Sequence, residues 1–318
     1  MAQKNNLTIQ VVSIIGGILT AIFFLGFLSL ASIIRSEESS FIIGCLLIVT
    51  TLTISRLVVK PFLDAMNITF YVAGCILFSF GISANVNILF CSLLVISILT
   101  FFLSKGFILP FLAVTLFNIS LFGEIAHLFS SWYPLQNAIV PLIAAFLFTN
   151  LFETKLLTRL QGNTSKYKPF HTGLFISCLI ALSGASIDFL TTGMNEWIIS
   201  ISLWIGLLIM IQRIMQVMEV ANLRMQIGIY GLSFLICLPT VFAPYLSGSL
   251  LLILICFHYG YKAECGASLL LFIYAISKYY YDLNVTLLVK SITLFFIGTA
   301  FIVAWYYFTQ KRTKHEKI

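Results

Sequence analysis

The chain has 318 residues, of which 60% are hydrophobic, 15% aromatic and only 9% charged, with a formal net charge of +7. Soluble domains carry roughly 25% charged residues to keep their surface hydrated, so this composition excludes a water-soluble globular protein. In lipid, only helices and closed barrels satisfy every backbone polar group. Barrel strands alternate apolar and polar residues, whereas the apolar runs here, such as 14–30 and 250–257, are continuous. The sequence therefore predicts an all-α polytopic transmembrane bundle.

Apolar segments of membrane-spanning length recur along the whole chain. A span needs about 20 apolar residues, or somewhat fewer where the helix is short. The sequence supports ten to twelve spans, and we favour twelve. They lie near residues 8–34, 40–59, 64–83, 86–104, 106–124, 136–153, 170–190, 196–213, 225–243, 246–261, 265–282 and 285–308.

The distribution of basic residues favours the same count. Lys and Arg concentrate in the short cytoplasmic connections of membrane proteins. With a cytoplasmic N-terminus, nine basic residues fall in inner connections: Lys60, Lys105, Lys155, Arg159, Lys166, Lys168, Arg213, Arg224 and Lys262. Arg35 and Lys278 fall outside, and the basic tail 309–318 falls inside. We therefore predict that both termini are cytoplasmic.

The only sizeable polar connection divides the chain into two sets of spans. Residues 1–154 hold about six predicted helices, 155–169 form a basic cytoplasmic loop, and 170–308 hold about six more. The positive charge is explained by these loops, and no nucleic-acid partner is expected. The predicted surroundings are a lipid bilayer.

The seven cysteines are scattered, nearly all within apolar runs, and form no C-x-x-C pair. They indicate neither a disulfide framework nor a zinc site. Glu124 and His127 form one Glu-x-x-His, with both residues on one helix face. Di-iron bundles need two such motifs and two further Glu residues, so no metal or cofactor is predicted. Asn118 and Asn150 are expected to form hydrogen bonds between helices, and Arg56 is expected to extend its side chain to the headgroups.

Ionisable residues within membrane spans are costly and are candidates for functional sites. On the predicted topology, six polar residues lie toward the outer leaflet, which predicts an outward-facing polar cluster: Glu124, His127, Asp188, Lys278, Asp282 and Lys290. Lys278 and Asp282 are spaced i, i+4 and can pair if the helix extends that far. Lys290 either extends outward or pairs with Asp282 or with an acid of another helix.

The C-terminal segment carries a family resemblance. Tyr279-Tyr280-Tyr281-Asp282-Leu283, Leu287-Leu288, Lys290-Ser291 and Gly298 resemble a motif of the bacterial membrane family called domain of unknown function 4401. Residues 61–64 and Ala73-Gly74 resemble an earlier segment of that family, although Cys75 stands where we would expect Gln. The resemblance implies a multi-pass bacterial protein that occurs alongside a second membrane family and a small partner named for a Gly-Asp-Tyr motif. It implies no reaction and no ligand.

Three hypotheses for function follow. The first is a subunit or scaffold of a membrane complex, with another integral membrane protein as partner. The second is a small-solute transporter, for which Pro110, Pro141 and Pro239 are candidate helix breaks. The third is a lipid-modifying enzyme that uses Asp188, Glu124 or His127 as acid or base. The sequence identifies no small-molecule ligand.

Overall fold

A computed structural model describes residues 7–30, 36–57, 61–83, 85–128, 138–159, 164–186, 196–219, 223–241, 243–282 and 299. Within these ranges every regular element is helical, as the continuous apolar runs predict. The helices are α1 (Leu7–Leu30), α2 (Glu37–Leu57), α3 (Pro61–Gly81), α4 (Val86–Leu103), α5 (Ile108–Leu128), α6 (Ile139–Leu151), α7 (Glu153–Arg159), α8 (Thr164–Ala185), α9 (Glu196–Val217), α10 (Leu223–Cys237), α11 (Pro244–Tyr259) and α12 (Lys262–Asp282).

Within the described ranges, five helices are long and apolar enough to cross a membrane: Glu37–Arg56, Leu63–Gly81, Val86–Leu103, Ile108–Leu128 and Trp197–Val217. Their surfaces carry large exposed apolar side chains, such as Ile42, Ile76 and Phe102, which are 59%, 63% and 67% exposed. Such a surface suits contact with lipid rather than with water. These features are those of a membrane protein, as the composition predicts.

Each of the first eleven predicted segments overlaps one described helix, whereas the twelfth, 285–308, lies outside the described residues. The predicted loop 155–169 is partly helical, because α7 occupies its first residues and α8 begins at Thr164. Glu153 in the first turn of α7 and Arg159 at its end suit the helix dipole.

Two clusters of buried apolar side chains hold the helices together. The smaller joins α2, α3, α4 and α5 around Tyr71, Phe78 and Leu93. The larger joins α5, α6, α8, α9 and α11, with Phe146 and Leu252 fully buried. Because α5 contributes to both clusters, the packing is continuous from α2 to α11.

The chain divides into two compact units, residues 1–275 and 276–318. The first unit contains both clusters and most of α12. Of the second unit, the structure describes the last turns of α12 and residue 299.

Candidate functional site

Four of the six predicted site residues lie in the described ranges. Lys278 and Asp282 form an ion pair of 2.9 Å between Nζ and Oδ1, because α12 extends to Asp282 as the i, i+4 spacing requires. Glu124 is half-buried near the end of α5, and His127 is exposed one turn later. Asp188 and Lys290 lie outside the described residues, so the outward-facing cluster as a whole stays a prediction.

Glu124 contacts the neighbouring helix rather than another predicted site residue. The Cys91 thiol of α4 lies 3.7 Å from Glu124 Oε1, and Oε2 is buried without a hydrogen-bond partner. The arrangement places a carboxylate in the α4–α5 interface. Among the described residues, the contacts of Glu124 include no further carboxylate or imidazole that would indicate catalysis there.

A different polar centre lies among α6, α8 and α12. His171, in the second turn of α8, is 3% exposed. Its Nε2 lies 3.1 Å from Asn150 Oδ1 at the end of α6, and its Nδ1 lies 3.4 Å from Glu264 Oε1 in the first turn of α12. The imidazole therefore joins three helices. An ionisable group that joins buried helices in this way marks a candidate functional site.

The orientation of Asn150 is fixed by a second contact. Its Nδ2 donates a hydrogen bond of 2.8 Å to the Phe146 carbonyl of its own helix, so Oδ1 is the atom that faces His171. Both ring nitrogens of His171 thus face oxygen acceptors. Glu264 Oε2, on the far side of the carboxylate, is buried and has no hydrogen-bond partner.

Aromatic rings pack around the imidazole. The rings of Tyr261 and Phe146 lie 4.6 Å and 5.0 Å from that of His171, centroid to centroid. The Tyr261 hydroxyl donates a hydrogen bond of 2.9 Å to Glu153 Oε1 on α7. A second acid is therefore held beside the centre.

A tight turn between α11 and α12 positions two members of this centre. Gly260 adopts a left-handed conformation with φ of +76°, and the Tyr261 N–H donates to the Cys256 carbonyl at 3.0 Å. This is the hydrogen bond of a Schellman motif, which favours glycine at the left-handed position. The turn ends α11 and begins α12 at once, so that Tyr261 and Glu264 both approach His171.

Tyr167, one helical turn before His171, is buried beside the same centre. Burial, followed by the charges of Glu153 and neighbouring acidic groups, raises the pKa of Tyr167. The phenol is therefore neutral, and its hydroxyl donates a hydrogen bond of 3.4 Å to the Thr149 carbonyl. Over the described residues, no three His, Cys, Asp or Glu side chains are grouped in a way that could hold a metal ion.

A second polar site lies where α4 ends. Arg56 Nε of α2 donates 2.8 Å to the Leu103 carbonyl, and Lys166 Nζ of α8 donates 3.0 Å and 2.6 Å to the carbonyls of Phe101 and Phe102. The last carbonyls of a helix have no partner within it, so two cations from other helices satisfy them. The sequence predicted only that the Arg56 side chain extends to the lipid headgroups. In the structure its Nε also binds the end of α4.

The sequence analysis found part of the His171 centre. The prediction that Asn118 and Asn150 bond between helices is confirmed, because Asn118 Nδ2 donates to Ser177 Oγ at 3.2 Å and Asn150 contacts His171. His171 and Glu264 were missed, because they stand within one residue of the predicted limits of the seventh and eleventh spans. The signal that could have found them is that His171 and Glu264 both lie at the predicted inner ends of their spans.

A family model for domain of unknown function (DUF4401) matches residues 6–311. The chain belongs to this family. The match covers nearly the whole chain and confirms the predicted family. No curated protein matches the chain, and no solved structure matches it. The DUF4401 description names no reaction, so the function has to be argued from the His171 centre.

Proposed function

We propose that this DUF4401 protein is a bacterial inner-membrane protein with about twelve spans and both termini in the cytoplasm, and that it couples movement of a small solute to proton binding at His171 and Glu264. The observation that carries the proposal is the buried imidazole between two oxygen acceptors, 3.1 Å from Asn150 Oδ1 and 3.4 Å from Glu264 Oε1.

Counting protons at this centre leads to a definite charge state. A neutral imidazole has one N–H donor and one acceptor nitrogen. Here Asn150 Oδ1 requires a donor at Nε2, so a neutral ring would turn the lone pair of Nδ1 toward the carboxylate. That contact is repulsive unless one more proton is present, on Nδ1 or on the carboxyl of Glu264. The His171–Glu264 pair therefore holds one shared proton.

Release of that proton changes how the helices interact. Two acceptors would then face each other at 3.4 Å, and the contact between α8 and the start of α12 would become unfavourable. A ligand or proton shifts a conformational equilibrium only through such a differential interaction between states. Proton-coupled carriers need a buried ionisable group with this property, and such groups line ion pathways in membrane bundles.

Two groupings of residues support the proposed topology. Arg56, Lys105 and Lys166 belong to three different regions predicted at the cytoplasmic side, and they line one pocket. Glu153 and Glu264, which lie at the predicted inner ends of the sixth and eleventh spans, both approach the His171 centre. A miscount by one span between any two of these regions would assign neighbouring residues to opposite faces of the membrane.

The second candidate function is a subunit or scaffold of a membrane complex, built on the predicted outward-facing cluster. The ion pair between Lys278 and Asp282 favours it, because this pair presents polar groups at the end of α12. In that case, Lys290→Ala would weaken co-purification with a membrane partner. Recovery of this variant as a clean monomer of unaltered stability would count against it.

Proton coupling is tested in proteoliposomes that contain the full chain and a trapped pH-sensitive dye. Pools of amino acids, sugars, organic acids and amines are added outside while the internal pH is followed. We expect one pool to acidify the lumen of wild-type vesicles, with the signal lost in Glu264→Gln and His171→Gln. His258→Gln is the matched control, because His258 lies in the last turn of α11, next to the turn that leads to Tyr261, and is not part of the His171 centre. Absence of a signal with every pool, or an equal signal in Glu264→Gln, would overturn the proposal.

A further inference from the structure

The pocket at the end of α4 is strongly cationic. It has a volume of about 490 Å³, and Arg56, Lys105 and Lys166 line it together with the hydroxyls of Ser104 and Ser165. None of the described lining residues is acidic. Three positive charges therefore approach one cavity without a carboxylate from its lining to balance them.

The contacts of these cations with α4 leave their charge uncompensated. Arg56 and Lys166 donate hydrogen bonds to carbonyl oxygens, and Lys166 also lies over the rings of Phe101 and Phe102, but none of these groups carries a formal negative charge. Burial, followed by the charge of Arg56, lowers the pKa of Lys166. An anion between the two side chains would remove this repulsion and would add charge-assisted hydrogen bonds.

An apolar groove adjoins the cationic pocket. It has a volume of about 760 Å³ and lies between α4, α5, α6 and α8, and Phe102 lines both cavities. Its walls include Ile98 and Phe148, which are 45% and 55% exposed, so the groove opens on the surface that faces lipid. Volumes of roughly 300–1,000 Å³ are typical of ligand sites lined by apolar side chains.

We infer that the two cavities together bind one anionic phospholipid. Its phosphate lies among Arg56, Lys105 and Lys166, and one acyl chain lies in the groove past Phe102. A free phosphate would match the charges but would leave the groove empty, whereas a zwitterionic lipid would fill the groove with less attraction to the cations. On the topology proposed above, the lipid belongs to the cytoplasmic leaflet. This inference does not depend on proton coupling at His171.

The two halves of the site can be altered separately. Lys105→Gln removes one cation of the pocket without removing a hydrogen bond to the last carbonyls of α4. Changes at Arg56 or Lys166 would also remove the hydrogen bonds that cap that helix. Ala145→Phe places a ring in the groove, where Ala145 is exposed. The matched control is Lys168→Gln, which removes an exposed cation of the same helix as Lys166 that does not line the pocket.

The binding experiment uses the full chain purified in a neutral detergent. Native mass spectrometry measures the affinity for phosphatidylglycerol, for phosphatidylcholine with the same chains, and for inorganic phosphate. We expect one tightly bound phosphatidylglycerol, with weaker phosphatidylcholine and phosphate binding. Lys105→Gln should weaken phosphatidylglycerol binding about fivefold, since each basic group near an anionic lipid contributes about that factor. Ala145→Phe should weaken it at least as much, and Lys168→Gln should leave it unchanged.

Three outcomes would overturn the inference. Equal affinity for both lipids would show that charge plays no part. An equal loss in Lys105→Gln and Lys168→Gln would show a general surface effect. Phosphate binding that matches phosphatidylglycerol and is unaffected by Ala145→Phe would show a site for a free anion.

Discussion

The interface between α2 and α3 is tightly packed along both helices, whereas the junction of α6, α8 and α12 is held by polar contacts of the His171 side chain. In the first, a Cβ added at Gly44 would meet the Phe78 nitrogen at 2.5 Å, and one at Gly81 would meet the Phe41 nitrogen at 2.7 Å. The backbones touch because glycine leaves room for them, as small residues do in membrane helix pairs. In the second, the His171 imidazole bridges the helices through contacts of 3.1 Å with Asn150 Oδ1 and 3.4 Å with Glu264 Oε1.

The α2–α3 contact is expected to stabilise the fold, whereas the His171 contact is expected to change with protonation. The contact between α2 and α3 combines close backbone packing at glycines with a buried hydrogen bond of 3.1 Å from Asn67 Nδ2 to the Thr51 carbonyl, and neither requires an ionisable group. At His171, in contrast, both ring nitrogens face oxygen acceptors, and the proposed function makes this contact depend on a proton. Function is therefore expected at the junction of α6, α8 and α12.

His171→Leu should destabilise the protein most. It leaves the carboxylate of Glu264 buried without its partner, which costs roughly 3–5 kcal/mol in soluble proteins. Unfolding of the purified protein in mild detergent, followed by circular dichroism, measures the change. His171→Leu combined with Glu264→Leu should recover much of the loss, because no buried charge is then left. A double variant as unstable as the single one would contradict the pairing.

Gly44→Ala should separate α2 from α3 and cost about 1–3 kcal/mol, the usual range for overpacking a well-filled interface. Gly228→Ala is the control, because a Cβ there meets nothing within 4 Å. The loss for Gly44→Ala should be the same at about pH 5 and about pH 8, the window in which histidine titrates. A loss that varied with pH across this window would remove the contrast between the two regions.

Ser177→Ala should cost about 0.5–1.5 kcal/mol, the usual net value of one neutral hydrogen bond. Ser177 Oγ accepts from Asn118 Nδ2 at 3.2 Å and so links α5 to α8. Thermal unfolding is measured for Ser177→Ala and for the control Ser202→Ala. The Ser202 hydroxyl bonds to a carbonyl of its own helix, so the difference between the two variants isolates the link between helices. Equal effects of the two substitutions would show that this link contributes nothing.

The ion pair between Lys278 and Asp282 should contribute least. A partly exposed i, i+4 pair is worth about 0.3–0.5 kcal/mol, and the side chains are 23% and 35% exposed. A double-mutant cycle with Lys278→Ala and Asp282→Ala measures the coupling, which should fall further in high salt. A coupling above about 2 kcal/mol would indicate a buried site at this end of α12 and would favour the predicted outward-facing cluster.

The sequence predicts the helices better than it predicts the site. Continuous apolar runs identify segments that become α1 to α6 and α8 to α12, because lipid enforces helices wherever the chain is apolar. His171 and Glu264 are 93 residues apart along the chain, and no local pattern relates them. Their contact arises from the packing of α8 against α6 and α11 and from the left-handed turn at Gly260, which brings the start of α12 back to α8. Lys278 and Asp282, in contrast, are neighbours on one helix, and their spacing alone predicts their pairing.

The shared proton of His171 and Glu264 is tested most directly by infrared difference spectroscopy of the full chain as the pH is stepped between about 6 and about 9, across the release of a proton from histidine. We predict carboxyl and imidazole bands that report the loss of one proton from the pair, that vanish in Glu264→Gln, and that persist in His258→Gln. A difference spectrum of Glu264→Gln identical to that of the wild type would contradict the account.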